Sequence, residues 1–190
     1  MFLTTRMFLW GLMQLLVRAD SSFPKGTCKN NACDLTPYKF VWTTPIETNP
    51  FCFNIDVSSY CSPDPYDCCS LFEQTLGKIV ITTYPQCITN RLAVTVNGVR
   101  KAGGVYFDTL SSTTAQLRIT NLGMNISNVT SPNSISICLN APPPCQSIES
   151  FCGPECRYSI YDQARHSCCP TCPWAAPVDS IDSPPPPAKS

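Results

Sequence analysis

The sequence predicts a mainly β fold: a disulfide-rich antiparallel β-sandwich-like domain with long loops. Three observations carry this. Fourteen cysteines stand among 190 residues. Proline, at 19 residues, is about twice its usual share of ~5%, too dense for long helices throughout. Short segments that alternate aromatic or β-branched residues with polar ones recur between turn signals, the pattern of strands with one buried face. Charged residues make up 14% of the chain, with 13 basic against 13 acidic. That balance argues against a nucleic-acid binder, which needs a basic face.

In chain order, Arg6 precedes an apolar run from Met7 to Val17, and Val17-Arg18-Ala19 follows as a small-x-small cleavage site. A basic start, a short apolar core and a small residue before the cut read as a secretory signal peptide over residues 1–19. The run falls short of the roughly 20 residues that span a bilayer, and no later stretch approaches that length. The mature chain then starts near Asp20, in an oxidising compartment.

Strands are predicted over 38–43, 51–57, 78–83, 92–96, 115–122 and 134–139, where Ile135, Ile137 and Leu139 alternate with Ser136 and Cys138. Asn97-Gly98 is a strong hairpin signal, and Gly103-Gly104 opens the next strand. Helix is confined to a turn or two near Cys69–Leu76 and around Ser147–Phe151. Ala141-Pro142-Pro143-Pro144 reads as a rigid spacer ahead of a cysteine-dense segment, 145–172. The body is expected to end at Cys172. Residues 173–190 hold six prolines and no cysteine, so they read as a proline-rich disordered tail, with Ser183-Pro184-Pro185-Pro186-Pro187 in extended polyproline II form.

The cysteines are Cys28, Cys33, Cys52, Cys61, Cys68, Cys69, Cys87, Cys138, Cys145, Cys152, Cys156, Cys168, Cys169 and Cys172. An even number behind a signal peptide reads as a disulfide framework whose connectivity the sequence leaves open. Adjacent cysteines sit about 3.8 Å apart across a trans peptide, closer than the roughly 4.4–6.8 Å a bridge wants. Cys68 and Cys69, and Cys168 and Cys169, should therefore each bond elsewhere. Cys152-x3-Cys156 and Cys169-x2-Cys172 approach zinc-ribbon spacing, but the oxidising compartment favours disulfides, and no metal or cofactor is expected.

Other candidate sites are few. Asn125-Ile126-Ser127 and Asn128-Val129-Thr130 are N-glycosylation sequons in a polar loop, marking Asn125 and Asn128. His166 is the sole imidazole. A hydrolytic triad would need it together with Ser167 or Ser159, yet no Gly-x-Ser-x-Gly elbow is present. Asp64 and Asp67 look like a turn, and their window offers too few carboxylates for calcium. Trp42 and Trp174 could stack on sugars, but strand aromatics are more often core. No catalytic set emerges, and the chain is expected not to be an enzyme.

Several of these features occur in an order that resembles a known family. They are Phe23-Pro24 ahead of Cys28 and Cys33, Thr36-Pro37-Tyr38, the double cysteine 68–69, Leu76-Gly77-Lys78-Ile79 and the isolated Cys87. Val96-Asn97-Gly98, Ile137-Cys138-Leu139 and the closing Cys156-Arg157-Tyr158-Ser159-Ile160-Tyr161-Asp162 … Cys168-Cys169-Pro170 complete the series. Over residues 23–172 this resembles the pherophorin domain. One departure is the wider spacing of Cys28 and Cys33 after Phe23-Pro24. The resemblance implies a pherophorin-like body over 20–172 and a secreted structural glycoprotein of the extracellular matrix or cell wall. Its partners would be other matrix glycoproteins or wall polysaccharides, with no nucleic acid and no membrane span after signal cleavage. The tail is similar to the repeat of hydroxyproline-rich wall glycoproteins, which implies hydroxylation and arabinosylation of Pro184, Pro185, Pro186 and Pro187. Some pherophorins are sexual signals, so the resemblance also implies an alternative, a secreted pheromone-like glycoprotein. A tail with a single such unit, Ser183 followed by four prolines, fits that alternative.

Overall fold

Alternating sequence becomes two packed sheets in the computed structural model, which describes residues 23–45, 47–57, 61–126, 134–163 and 168–174. The signal peptide expected over 1–19, Asn128, His166, Ser167 and Pro184–Pro187 lie outside the described residues. The strands are β1 (Tyr38–Trp42), β2 (Phe51–Val57), β3 (Leu76–Thr83), β4 (Ala93–Val96), β5 (Val99–Arg100), β6 (Val105–Thr109), β7 (Ala115–Ile119), β8 (Ile135–Asn140), β9 (Arg157–Asp162) and β10 (Thr171–Pro173). Two short helices, α1 (Cys68–Gln74) and α2 (Ile148–Cys152), join them. One five-stranded sheet runs β1-β2-β8-β4-β5 and the other β10-β9-β3-β7-β6. Every strand pairing is antiparallel.

The period of two decides which side chains face inward. From the first sheet, Phe51, Phe53 and Ile55 of β2 and Ile135, Ile137 and Leu139 of β8 enter the core. From the second come Ile79 and Ile81 of β3, Leu117 and Ile119 of β7, and Tyr158 and Ile160 of β9. Strand β3 is buried on both faces. Its outward Val80 joins Phe23, Leu110, Tyr161 and Cys169 in a second small cluster. The N-terminal segment covers that outer face, with the Lys25 N–H donating to Gln116 Oε1 at 3.0 Å. This explains why an apolar residue, Val80, stands between Ile79 and Ile81, where a strand with one wet face would carry a polar one.

Turn chemistry fixes the register. Asn97 (φ 50°) and Gly98 (φ 76°) both take left-handed backbone, as a two-residue type I′ hairpin requires, and they join β4 to β5 as the sequence predicts. At Gly77 the β3–β9 register slips between Leu76 and Lys78. A Cβ at Gly77 would come within 2.8 Å of the Gln163 backbone, so this bulge takes only glycine without displacement. Ser147 caps α2 reciprocally with Ser150.

Three sequence expectations need correction. The 115–122 segment stops at Ile119: the Thr120 N–H still reaches the Gly104 carbonyl, but Asn121 then turns into left-handed backbone (φ 58°) and ends the pairing. Ala141–Pro144 is no spacer between sub-regions. Ala141 is buried, and its N–H and carbonyl both bond the Asn49 amide, at 3.3 and 3.1 Å. The segment beyond it supplies β9, which lies between β3 and β10 in the second sheet. The body also continues past Cys172: Pro173 belongs to β10, and Trp174 is only 3% exposed.

Trp174 closes one flank of the sandwich. Its indole stacks on Trp42 of β1 with centroids 4.0 Å apart at 8° and meets Phe53 edge-on at 4.7 Å. Beside them Phe40 of β1 stacks on Tyr158 of β9 at 3.9 Å. The edge of each sheet thus locks to the other through flat aromatic faces, which add to the stabilisation from burial alone.

Two outcomes follow from this core. Trp174→Ala should lower stability by about 3–5 kcal/mol, the usual cost of a buried Trp→Ala truncation, and deletion of 174–190 should do the same. Deletion of 177–190 should leave the thermal midpoint nearly unchanged, and calorimetry on the three proteins separates these cases. The second outcome concerns pH. Burial, aided by the Glu73 carboxylate, pushes the Tyr38 phenol up to about 12 while it donates to the Phe72 carbonyl at 2.8 Å. A folded pKa above the unfolded value of about 10 means that this contribution is whole below pH 10 and is lost as pH rises toward 12. Stability should fall across that window, with Tyr38→Phe flattening the fall in alkaline denaturant titrations.

Candidate functional site

All fourteen cysteines are paired and none is free. Three bridges tie the chain's beginning and middle to its cysteine-dense end: Cys28–Cys169, Cys33–Cys172 and Cys68–Cys168, spanning 141, 139 and 100 residues. Cys52–Cys138 joins residues directly opposite each other on β2 and β8. Cys87–Cys145 links the turn after β3 to the Ala141–Pro144 turn, Cys61–Cys69 pins α1, and Cys152–Cys156 closes the short loop into β9. Each member of the two adjacent pairs bonds elsewhere, as peptide geometry requires. Cys169 and Cys172 bond Cys28 and Cys33 rather than each other, so their spacing reflects two parallel staples and not an exchange site.

The remaining sequence candidates divide. Asp64 organises a turn: its carboxylate accepts from the N–H of Tyr66 at 2.6 Å and of Cys68 at 3.1 Å, while Asp67 takes left-handed backbone just before α1. Among the described residues no cluster of His, Cys, Asp and Glu could hold a metal ion. Asn125 is exposed just beyond Met124, which pairs with Leu76 at the start of β3. Ser159 is fully buried and donates to the Cys169 carbonyl at 3.2 Å, which commits its hydroxyl to structure. Trp42 and Trp174 stack on each other, Trp174 within the core and Trp42 half-buried against it.

On the outer face of the second sheet, Arg118 pairs with Asp108 (Nε to Oδ2, 2.6 Å) and its Nη2 donates to Oδ1 at 3.1 Å. Nearby, the Lys78 ammonium lies 3.5 Å from the centre of the Tyr161 ring. Burial, then the neighbouring Arg118 charge, hold Lys78 below the ordinary lysine range, with Asp108 opposing them. Burial pushes Tyr161 up to about 12, against the pull of Arg118 and a Ser159 hydrogen bond. Arg118 and Asp108 thus engage each other and Lys78 the Tyr161 ring, while Tyr161 also packs with Phe23 of the N-terminal segment.

The opposite flank from the tryptophan stack is open. There the β4–β5 edge of the first sheet and the β6 edge of the second diverge around a groove of about 570 Å³. Leu92, Val105 and Phe107 form its floor, half-buried and continuous with the core. Thr89 and Asn90 contribute a hydroxyl and an amide, and Arg100 and Lys101 stand at its rim. Lys101 Nζ donates to the Asn121 carbonyl at 3.2 Å, which orients the ammonium without cancelling its charge. Among the described residues Arg118–Asp108 is the one ion pair, so neither rim cation has a carboxylate partner there. Sequence reasoning missed these two residues because their charge disappears in the overall balance. A local signal exists: Thr75 to Phe107 holds Lys78, Arg91, Arg100 and Lys101 and no carboxylate.

The pairing yields a direct check. Thiol titration of the unreduced, denatured protein should find no free cysteine, and peptide mapping should join Cys68 to Cys168 and Cys169 to Cys28. Replacing Cys68 and Cys168 together by Ala should cost about 2–5 kcal/mol in denaturant unfolding. A Cys169–Cys172 peptide would contradict the staple arrangement.

No curated protein matches the chain. Among solved structures it is similar to ACE19, the collagen binding subdomain of the Enterococcus faecalis surface protein ACE, at 12% identity over 71% of this chain and 90% of that one. The TM-score is 0.30, a likeness too remote to bear on what the chain does. Residues 23–170 match the family model described as Pherophorin. That match runs from Phe23, at the edge of the second core cluster, to the residue before β10. It takes in nine of the ten strands and six of the seven bridges whole, and on this ground the chain belongs to the pherophorin family.

Proposed function

We propose that this protein is a secreted structural glycoprotein of the extracellular matrix or cell wall, built from a cross-linked body and a glycosylated proline-rich tail. The observation that carries the reading is the match of the body to the pherophorin family, a family of matrix glycoproteins. The physical design agrees with it. Seven bridges in a body of this size restrict the unfolded chain far more than the unfolded state of an ordinary domain is restricted, which suits long residence outside the cell. Among the described residues no helix is long and apolar enough to cross a membrane. In this reading N-glycans sit at Asn125 and Asn128. Arabinose on hydroxylated Pro184–Pro187 stiffens an extended tail and adds polar contacts to wall polysaccharides and neighbouring matrix glycoproteins. No residue is assigned a catalytic role.

Fractionation of cells expressing the full chain tests this. The protein should remain with the wall fraction, and deletion of 177–190 should shift it toward the medium while the disulfide-bonded body stays folded. Mass spectrometry of the retained protein should find glycan on Asn125 or Asn128 and pentose on the tail. Full-length protein that is free in the medium and carries no tail glycan would overturn the structural reading in favour of the signalling alternative.

A further inference from the structure

The geometry points to the groove between the β4–β5 and β6 edges as a binding site for an anionic polysaccharide, one bearing sulfate esters or uronate carboxylates. The inference rests on the matrix reading for the source of the polymer, but its evidence is the groove itself.

Charge comes first. Arg100 is exposed and Lys101 half-buried, both stand on the rim, and no carboxylate lines the groove. Arg91 is exposed nearby in sequence, and the whole stretch from Thr75 to Phe107 lacks an acidic residue. In a chain whose charges cancel overall, this is a local positive field without a carboxylate ion-pair partner among the described residues, and it complements a polyanion. The guanidinium of Arg100 can bond a carboxylate or sulfate through two N–H groups at once. The Lys101 ammonium, held by the Asn121 carbonyl, is oriented before a ligand arrives.

Shape and floor then favour a sugar over a bare ion or a peptide. At about 570 Å³, the groove is much larger than one sulfate ion and has room for a few linked sugar rings. Its floor offers the Phe107 ring with Leu92 and Val105, an apolar surface for the C–H face of a pyranose. Thr89 and Asn90 offer a hydroxyl and an amide able to both donate to and accept from ring hydroxyls. An acidic peptide would use the cations and leave these polar groups poorly matched.

The position has a cause in the fold. The aromatic stack closes the sandwich at the β1 and β9–β10 flank. At the other flank β5 is only two residues long, so the first sheet ends before it can cover β6, and the chain crosses between sheets through 101–104. Cations on that short edge strand protect it from pairing with another edge, and on this geometry they also serve a ligand.

The test uses the full-length secreted protein and titration calorimetry against four probes: dextran sulfate, polygalacturonate, neutral dextran and poly-L-glutamate. Binding is expected to one or both charged polysaccharides, with the preferred one naming the anion, and to neither dextran nor polyglutamate. Arg100→Ala with Lys101→Ala should weaken binding about tenfold, the sum of two exposed charge contacts. Lys29→Ala with Lys39→Ala, the same charge loss on exposed lysines elsewhere, should change it less than about twofold. Asn90→Asp, an exposed change that places a carboxylate in the groove, should abolish binding while the thermal midpoint holds. Phe107→Leu should weaken polysaccharide binding without touching charge. Equal loss in the Lys29/Lys39 control would overturn the assignment to the groove. Polyglutamate binding as tight as polygalacturonate, or an unaffected Phe107→Leu, would overturn the sugar. A protein that stays in the wall fraction but binds none of the probes loses only this inference. One that binds polygalacturonate yet is free in the medium loses the matrix reading instead.

Discussion

The fold depends on the return of the C-terminal segment to β3. Strand β9 pairs with β3 across five registered residues, and without it the second sheet would present β3, buried on both faces, as an open edge. A strand pairing between residues about 80 positions apart in sequence is costly in chain entropy. Three bridges that cross 100 residues or more remove much of that cost from the unfolded state. Closing a loop of about 100 residues is worth about 4.7 kcal/mol in the chain-entropy account. Cys68–Cys168 is central among them, since both partners are fully buried and each has a bridged neighbour, Cys69 or Cys169, that reaches a different segment.

From this return follows an asymmetry between the two flanks of the sandwich. Where β10 ends, the chain delivers Trp174 onto Trp42, and the two sheets meet through stacked rings. Where β5 ends, nothing comparable arrives, and the floor of the groove is the core itself, reaching the surface through Leu92, Val105 and Phe107. There the half-buried floor packs against the core, and the groove lining brings Arg100 and Lys101 together with that apolar surface.

The described sequon asparagine and the cross-links sit at other points of the body. Asn125 lies at the end of the second sheet beyond β7, outside the groove lining. Cys68, Cys168, Cys169 and Cys172 are at most 2% exposed, whereas Cys33 is exposed and Cys61 and Cys69 are half-buried. The outer face of the second sheet is occupied by the N-terminal segment and by the Lys78, Tyr161, Arg118 and Asp108 contacts. The surface left for recognition is thus narrow, although the chain is rich in chemically distinctive residues.

By itself the sequence determined the class of fold. Six of the ten strands follow from alternation, because a residue's face in a strand depends only on its parity. The Asn97-Gly98 hairpin follows from the backbone those two residues adopt, and the separate fates of Cys68 and Cys69 follow from the length of a peptide unit. The ordered cysteines also made the family legible. Strands β9 and β10 were not read as strands, although Tyr158, Ser159, Ile160 and Tyr161 carry β propensity, because cysteine density suggested loops. Only the tertiary structure decided which thiols meet, since pairing is a matter of distance between segments far apart in the chain. It alone placed Trp174 in the core, where its value comes from Trp42, more than 100 residues away. It alone brought Arg100 and Lys101 over Phe107 between two sheet edges. A net charge of zero conceals such a site, because electrostatic attraction depends on where charges stand and not on their sum.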